Sequence, residues 1–303
     1  MSFSHLAPPA PDAPDLPYEQ LVEAAAAAIP ADFSRDPAEI LVALDVDGTL
    51  LQPQGASLRV RECMAEALEA GVNLVIATGR GVNATRPVFA ELGVESVYSV
   101  CSNGAIMVHW DPHLERGRSL IHTETFDPEP AGRLMLEAFD GEILLGTDSP
   151  DEEVLNVSAP FPPGEIITKE RVLSLDALLQ RQTPKLVGRV PGMPLEEFYA
   201  RLQALPLTGV EVAVGWTTWV DVGPGGCTKA TGLQSLADKL GLPTSSTVAI
   251  GDGTNDIAML EWASLGVAMG VAPPSVLASA NHVTGSVEGD GSAAVLRAIL
   301  NRL

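Results

Sequence analysis

The chain contains 303 residues, 46% of them hydrophobic, and carries a formal net charge of −21 at pH 7. A chain of this length and apolar content can bury a large core in one or two domains. The negative charge argues against a nucleic-acid-binding protein, because a phosphate backbone requires a basic face, and it is typical of a solvated acidic surface.

The cysteines and the N-terminal sequence bear on the compartment. Cys63, Cys101 and Cys227 form no CxxC pair, which argues against a disulfide framework or a zinc site and favours reduced thiols. No Lys or Arg occurs through Ile29 and no long apolar segment is present, so we expect no secretory signal. No apolar run approaches the roughly 18 residues of a membrane-spanning helix. These features predict a cytoplasmic protein that does not enter a membrane.

A leader rich in proline and alanine forms residues 1–37. Its composition up to Pro17 is typical of a disordered segment. Residues 18–29 contain an alanine run that favours one helix.

From residue 40 onwards, apolar runs alternate with amphipathic stretches. This pattern predicts the strands 40–46, 72–77 and 97–100 and the helices 59–70 and 82–92. Alternation of this kind is typical of an α/β fold with a doubly wound, Rossmann-like parallel sheet.

Near residue 125 the rhythm changes, because prolines divide the chain into shorter pieces. The strands 184–190 and 210–214 and the helix 195–205 indicate an inserted α+β unit over residues 125–218. Later elements resume the first pattern, so we expect a core domain built from residues 38–124 and 219–303. These later elements are the strands 219–222, 247–250 and 265–269 and the helices 229–240, 255–263 and 292–300.

Two stretches that follow predicted buried strands carry most of the chemistry. They are Asp45-Val46-Asp47-Gly48-Thr49-Leu50 and Gly251-Asp252-Gly253-Thr254-Asn255-Asp256. If the two strands are neighbours in one parallel sheet, their four acids converge at its C-terminal edge, where open α/β sheets bind ligands. A cluster of acids is unfavourable unless a cation lies among them. Hard oxygen ligands with room for water and phosphate favour Mg²⁺.

Asp45 and Asp47 suit a two-acid mechanism. Aspartate can act as a covalent nucleophile toward phosphorus, while a second carboxyl group protonates the departing oxygen. The alternative is an Asx turn that ends the strand, since Asp-Gly pairs are common in turns. The preceding apolar strand, together with Thr49 and Leu50, favours catalysis.

Asp252 and Asp256 have a structural alternative too, because an acid at a helix N-terminus is often a cap or a partner of the helix dipole. The density of polar residues around them exceeds what capping requires. Thr78 also follows a strand and precedes a helix, which suits a phosphate oxygen, although threonine is a common cap. Lys229 opens a helix, where a cation opposes the dipole, and holding a phosphoryl group would explain it.

Other motifs give weaker indications. The sequence around Lys229 does not match a P-loop, and residues 251–256 do not match a dinucleotide fingerprint. The histidines His109, His113 and His122 lack metal-ligand spacing, and we interpret them as surface or packing residues. Trp216 and Trp219 flank the expected return to the core domain, and we interpret them as packing residues.

Taken in chain order, the motifs resemble the haloacid dehalogenase-like (HAD) hydrolase superfamily, and the place of the insert resembles its Cof-type branch with a large type-two cap. The resemblance covers about residues 40–294. It is carried by Asp45-x-Asp47-Gly48-Thr49, Thr78-Gly79-Arg80, Ser102-Asn103-Gly104-Ala105, Lys229 and Gly251-Asp252-x-x-Asn255-Asp256.

The resemblance implies a role for each matching residue. Asp45 would be the nucleophile that forms an aspartyl-phosphate, and Asp47 the general acid and then the base. Mg²⁺ would be held by Asp45, the backbone carbonyl of Asp47 and Asp252. The phosphoryl oxygens would be bound by Thr78, Gly79, Lys229 and Asn255, with Asp256, Arg80 and Asn103 in support. Dehalogenases of this superfamily lack the second acid, so Asp47 points to phosphate esters.

We therefore predict a magnesium-dependent phosphatase of small metabolites, with sugar phosphates as the favoured substrates. A phosphotransferase or phosphomutase would use the same intermediate and differ only in the acceptor. A non-catalytic sensor of phosphorylated metabolites is a third hypothesis, although a sensor has no need for both Asp45 and Asp47. The expected partner is a small phosphate ester, and the sequence does not predict the oligomeric state.

Overall fold

A computed structural model describes residues 16–215 and 217–303. The disordered leader that the sequence predicts lies outside the described residues, apart from Leu16 and Pro17, and so does Trp216 with its expected packing role. The helix predicted over residues 18–29 is present as α1, Tyr18–Ala28.

The described residues form fourteen strands and ten helices, apart from short 3-10 turns. The strands are β1 (Leu41–Leu44), β2 (Asn73–Ala77), β3 (Val97–Cys101), β4 (Ile106–Trp110), β5 (Arg118–Thr123), β6 (Leu144–Asp148), β7 (Val154–Val157), β8 (Lys169–Val172), β9 (Leu186–Arg189), β10 (Val210–Val214), β11 (Trp219–Pro224), β12 (Thr247–Gly251), β13 (Leu265–Ala268) and β14 (His282–Val283). The other helices are α2 (Leu58–Ala70), α3 (Val82–Leu92), α4 (Glu129–Ala138), α5 (Leu175–Leu179), α6 (Leu195–Gln203), α7 (Lys229–Leu240), α8 (Ile257–Trp262), α9 (Pro274–Ser279) and α10 (Gly291–Leu300).

Eight strands form one sheet, which we call the core sheet, in the order β14-β13-β12-β1-β2-β3-β4-β5. The six strands from β14 to β3 run parallel, and β4 and β5 add an antiparallel edge. All four residues of β1 are buried, as the apolar run predicts. Helices cover both faces, with α1, α2, α3 and α10 on one side and α7, α8 and α9 on the other. The expected α/β fold with a Rossmann-like core is confirmed, and the antiparallel edge is an addition.

Six further strands form a second sheet, which we call the cap sheet, in the order β10-β11-β9-β6-β7-β8. The helices α4, α5 and α6 pack against one face of it. The opposite face carries a small apolar cluster that includes Leu155, Val187 and Trp219, and it covers the C-terminal ends of the core strands.

Strand β11 belongs to the cap sheet, whereas the sequence predicts it in the core sheet. Residues 219–222 were expected to return to the core sheet, but β11 pairs antiparallel with β9 and β10, with Asp221 opposite Val187 and Ala213. The chain therefore stays in the cap sheet through Pro224, and the predicted boundary at 219 is wrong. Buried and half-buried residues alternate along β11, a pattern of a strand with one face covered, whereas the parallel core strands are buried continuously. The remaining domain boundaries stay a prediction.

Candidate active site

The two acidic stretches meet at the C-terminal edge of the core sheet. Leu44, the last residue of β1, pairs with Ile250 of β12 in parallel register, so Asp45 and Asp252 leave neighbouring strands side by side. Carboxylate oxygens of Asp45, Asp252 and Asp256 all lie within 4.8 Å of one another. The convergence that the sequence predicts is present.

Lys229 lies at the centre of these acids and has no exposed surface. Its Nζ donates to Oδ1 of Asp45 and to Oδ1 of Asp256, each at 2.6 Å. Burial opposes the positive charge, but Asp256 and Asp45 together outweigh burial and raise the pKa of Lys229 above its ordinary range. A charged ammonium group is therefore fixed beside Asp45. The helix that it opens begins with a capping box between Thr228 and Thr231.

The acids themselves are destabilised in their charged form. Burial raises the pKa of Asp45, with further raising by the charges of Asp256 and Asp252, and Lys229 only partly compensates. Burial, followed by the charge of Asp256, raises the pKa of Asp252 to about 7. Crowded, buried carboxylates of this kind fit a divalent cation, which would relieve their repulsion with the oxygen ligands that Mg²⁺ prefers.

The acids are positioned by their loops. Oδ2 of Asp256 accepts the backbone N–H groups of Asp252 and Gly253, at 3.0 and 2.8 Å, so Asp256 holds the loop as well as Lys229. Asp252 accepts a hydrogen bond from Thr49 at 3.2 Å. Gly48 has a φ of +85°, and a Cβ there would lie 2.4 Å from Oδ2 of Asp252. A glycine is therefore required where the two acidic loops touch.

Asp47 is not part of this cluster, and its side chain is 61% exposed. It accepts two hydrogen bonds from the guanidinium of Arg80, from Nε at 2.8 Å and from Nη2 at 2.5 Å. Arg80 comes from the loop after β2. This bidentate pair gives Arg80, which the sequence predicted only as a supporting residue, a specific contact with the expected general acid.

The expected phosphate-binding residues surround the same space. Thr78 is buried, and its hydroxyl accepts the N–H of Arg80 at 3.1 Å. Asn255 donates its side-chain amide N–H to the side-chain oxygen Oδ1 of Asn103 at 2.9 Å. The structure thus brings together all of the residues that the motifs singled out, and their roles in binding stay a prediction.

A cavity of about 410 Å³ separates the core sheet from the cap sheet. The core sheet and its loops contribute mainly the motif residues Asp45, Asp47, Thr78, Gly79, Arg80, Asp252 and Asn255. The cap contributes residues that the sequence did not single out for function, among them Asp148, Leu155, Ile166, Lys185, Val187, Trp219 and Asp221. A smaller cavity of about 260 Å³ shares Lys185, Asp221 and Asn255 with the first.

Lys185 and Asp148 are cap residues that contact the motif loops. Its Nζ donates to the backbone carbonyl of Gly79 at 2.8 Å and lies 3.6 Å from Oδ2 of Asp221. Asp148 accepts the hydroxyl of Ser102 at 3.3 Å, and burial raises the pKa of Asp148. The sequence feature that could have indicated Lys185 as a site residue is its place, as a lysine, at the start of the predicted apolar strand 184–190.

A loop of the cap is fastened to the core domain next to this cavity. The guanidinium of Arg118 donates to the carbonyl of Pro150 at 2.6 Å and to the side chain of Asn83 at 3.0 Å. Asn83 in turn donates to the carbonyl of Glu152 at 2.6 Å. The cap sheet is therefore held over the C-terminal ends of the core strands.

Comparison with known proteins identifies relatives with phosphatase names. Pyridoxal phosphate phosphatase YbhA of Escherichia coli (strain K12) is 30% identical over 262 residues, which cover 81% of this chain and 93% of the relative. The 5-amino-6-(5-phospho-D-ribitylamino)uracil phosphatase YcsE of Bacillus subtilis (strain 168) is 29% identical over 259 residues, which cover 85% of this chain and 94% of the relative.

Among the described residues, the structure contains no helix with the length and apolar character of a membrane span.

A solved structure with the same fold and a family model point to the same family as these relatives. The solved structure of the HAD subclass IIB sugar phosphatase BT4131 superposes with a TM-score of 0.68 at 22% identity, over 84% of this chain and 96% of that one. A family model described as haloacid dehalogenase-like hydrolase matches residues 42–296. The chain therefore belongs to the haloacid dehalogenase-like hydrolases, as its motifs predict, and is a phosphoric monoester hydrolase of that family.

Proposed function

We propose that this protein is a magnesium-dependent phosphatase that hydrolyses small phosphorylated metabolites through an aspartyl-phosphate at Asp45. The observation that carries the proposal is the buried contact of Lys229 with both Asp45 and Asp256, next to Asp252. A fixed cation and a cluster of acids at one sheet edge suit phosphoryl transfer, which depends mainly on positioning and on neutralising charge.

In this proposal Asp45 is the nucleophile. Its carboxylate oxygen attacks the phosphorus, the bond from phosphorus to the ester oxygen breaks, and Asp47 gives a proton to the departing alcohol. In the second step Asp47 takes a proton from water, whose oxygen attacks the phosphorus and releases phosphate from Asp45. Since Arg80 holds Asp47 in this structure, we propose that the arriving ester separates the pair so that Asp47 can carry the proton.

The residues present fit a magnesium ion, because hard carboxylate oxygens converge and repel each other without one. Asp45, the backbone carbonyl of Asp47 and Asp252 would hold the ion. Bound there, Mg²⁺ would neutralise charge that develops on the transferred phosphoryl group. Lys229, Thr78, Asn255 and the backbone of Gly79 would bind the phosphoryl oxygens, and the cap would limit the access of water.

Two classes of phosphate ester are candidate substrates. The sequence hypothesis favours sugar phosphates, and one structural neighbour is named as a sugar phosphatase. A relative at 30% identity is named as a phosphatase of pyridoxal phosphate, which bears a ring. A phosphotransferase would share the intermediate with either. We also propose a cytoplasmic location, since all three cysteines are free thiols.

The test is release of inorganic phosphate from sugar phosphates, nucleotides and p-nitrophenyl phosphate. We expect release with Mg²⁺, none with a chelator, and none from Asp45→Asn. Asp238→Asn, an exposed aspartate on α7, serves as the matched control and should retain full release. A transferase would instead pass the phosphoryl group to an added alcohol or sugar phosphate in preference to water. The proposal fails if folded, magnesium-loaded protein releases phosphate from no ester, or releases it equally in Asp45→Asn.

A further inference from the structure

The face of the cap sheet that covers the cavity is apolar over much of its area. Trp219 on β11 and Val187 on β9 both line the cavity, and they form a cluster with Leu155 and Ile166. Trp219 and Asp221 are two residues apart on one strand, and Asp221 pairs with Val187 on the next. These side chains therefore share one face, because side chains alternate along a strand.

The indole of Trp219 is fixed in place. Its Nε1 donates to Oδ1 of Asp221 at 2.8 Å, and its ring centroid lies 5.5 Å from that of Phe161 at a tilt of 57°. An indole has a single hydrogen-bond donor, and Asp221 already accepts it. Trp219 therefore presents carbon surface to the cavity.

The charged side chains of the cap around the cavity each have a partner among the described residues. Lys185 binds the carbonyl of Gly79 and lies near Asp221, and Asp148 accepts from Ser102. A carboxylate in the wall, Glu165, binds Arg189 through two hydrogen bonds of 2.9 and 2.7 Å. A sugar bound against Trp219, Val187 and Leu155 would place hydroxyl groups on apolar side chains, and each hydroxyl that loses water without a new partner weakens binding.

Given the phosphatase function proposed above, on which this inference rests, we propose that the leaving group carries a planar aromatic or heteroaromatic ring that lies against Trp219. A flat ring gains contact with the indole and with Leu155 and Val187, and it brings few hydroxyl groups that need partners. The expected substrates are phosphate esters of ring-bearing primary alcohols, in preference to sugar phosphates.

Three esters of primary alcohols separate ring recognition from leaving-group chemistry. Benzyl phosphate offers an aromatic ring, cyclohexylmethyl phosphate a saturated ring of similar size, and glucose 6-phosphate a ring with hydroxyl groups. We expect the wild-type kcat/KM for benzyl phosphate to exceed that for glucose 6-phosphate by about tenfold or more, and that for cyclohexylmethyl phosphate by about threefold or more, since aromatic contact adds to apolar burial.

Substitution of Trp219 tests whether this side chain causes the preference for an aromatic ring. Trp219→Leu should remove the preference for benzyl over cyclohexylmethyl phosphate, whereas Trp219→Phe should keep most of it. Trp262→Leu removes an indole that packs in the cluster formed by α7, α8 and α9 on one face of the core sheet, and it should leave the preference unchanged. The wild-type comparison of the three esters needs no variant, so a folding defect in Trp219→Leu does not block the test.

The results separate a failure of ring recognition from a failure of the proposed phosphatase function. Hydrolysis that depends on Mg²⁺ and Asp45, with glucose 6-phosphate as good as benzyl phosphate, overturns the ring inference and leaves the phosphatase intact. An aromatic preference that persists in Trp219→Leu also overturns it. If no ester, p-nitrophenyl phosphate included, is hydrolysed in an Asp45-dependent way, the phosphatase function falls and the ring inference with it.

Discussion

A lysine without exposed surface needs fixed negative partners, and Lys229 has them in Asp45 and Asp256. Its ammonium group keeps two crowded carboxylates in place and offers a donor beside the expected nucleophile. The sequence signal for this residue was a cation at a helix N-terminus, where the dipole disfavours it. The sequence hypothesis explained this cation by a bound phosphoryl group, which stays a prediction, and the structure shows two carboxylates as its partners.

Replacing Lys229 by Met should damage both stability and activity. The variant leaves Asp45 and Asp256 buried without their counter-charge, so we expect the free energy of unfolding at neutral pH to fall by about 3 kcal/mol or more. Urea denaturation measures this change, and phosphate release should be lost. Lys239→Met, an exposed position on the same helix, is the matched control. Wild-type stability in Lys229→Met would contradict the buried ion network.

Asp47→Asn should slow the enzyme according to the leaving group. An alkyl ester needs a proton on its departing oxygen, so its kcat should fall by about a hundredfold or more. A p-nitrophenyl ester leaves without a proton, so its first step should change little. Rapid-quench measurement of alcohol release compares the two esters in the first turnover. An equal loss for both would show that Asp47 does not protonate the leaving group.

At the scale of elements, the central strands of the core sheet were predictable and the cap only in part. The cap elements β9, α6 and β10 were predicted, whereas β6, β7, β8, α4 and α5 were not. Each central core strand is a continuous apolar run that ends in a polar loop, and residues 42–296 match one family model. The edge strand β8, Lys169–Val172, has no apolar alternation. The strands β6 and β7 lie between prolines, and α4 contains Pro130 in its first turn. The motif residues were found for this reason, whereas Lys185 and Trp219 were missed as parts of the site. Their function depends on which sheet β9 and β11 join, and an isolated apolar run does not specify that.

Gly104, in the turn after β3, packs closely against Thr228 at the start of α7. It has a φ of +113°, and a Cβ there would lie 2.1 Å from the backbone oxygen of Thr228. Gly104→Ala should therefore cost about 3 kcal/mol of unfolding free energy and displace Lys229, lowering kcat. Gly93→Ala, at a φ of +72° with nothing within 4 Å of the added Cβ, is the control and should cost about 1 kcal/mol. Thermal melts of both variants test the contact, and equal costs would contradict it.

At the scale of the molecule, the net charge of −21 repels a phosphate ester. In our proposals, binding comes from local cations: from Arg80 in the wall of the larger cavity, from Lys229 beside the smaller cavity and from the proposed metal ion. The cap adds apolar surface, one lysine, Lys185, and the carboxyl groups of Asp148, Glu165 and Asp221. The two sheets thus divide the work, with phosphate chemistry on one and leaving-group recognition on the other in our proposals.

His282, on the edge strand β14, should contribute to the pH dependence of stability. Burial lowers its pKa from the ordinary 6.5, and its Nε2 has no hydrogen-bond partner among the described residues. The unfolded chain therefore binds a proton near pH 6.5 that the folded chain does not, so stability falls as pH drops below about 6.5. His282→Leu should flatten this loss, and the exposed His113→Gln should not. Identical slopes for His282→Leu and wild type from pH 7 to 5, by urea denaturation, would contradict the assignment.

The central claim is that Asp45 carries the phosphoryl group, and mass spectrometry of the trapped enzyme tests it most directly. Asp47→Asn is mixed with Mg²⁺ and acetyl phosphate, whose leaving group needs no proton, and is quenched in acid before digestion. Wild type quenched within one turnover is run beside it, with Asp45→Asn as the control. We predict the mass of one phosphoryl group on the peptide that contains Asp45, lost in Asp45→Asn. Phosphate release by wild type with no such peptide, or with the label on another residue, would contradict the account.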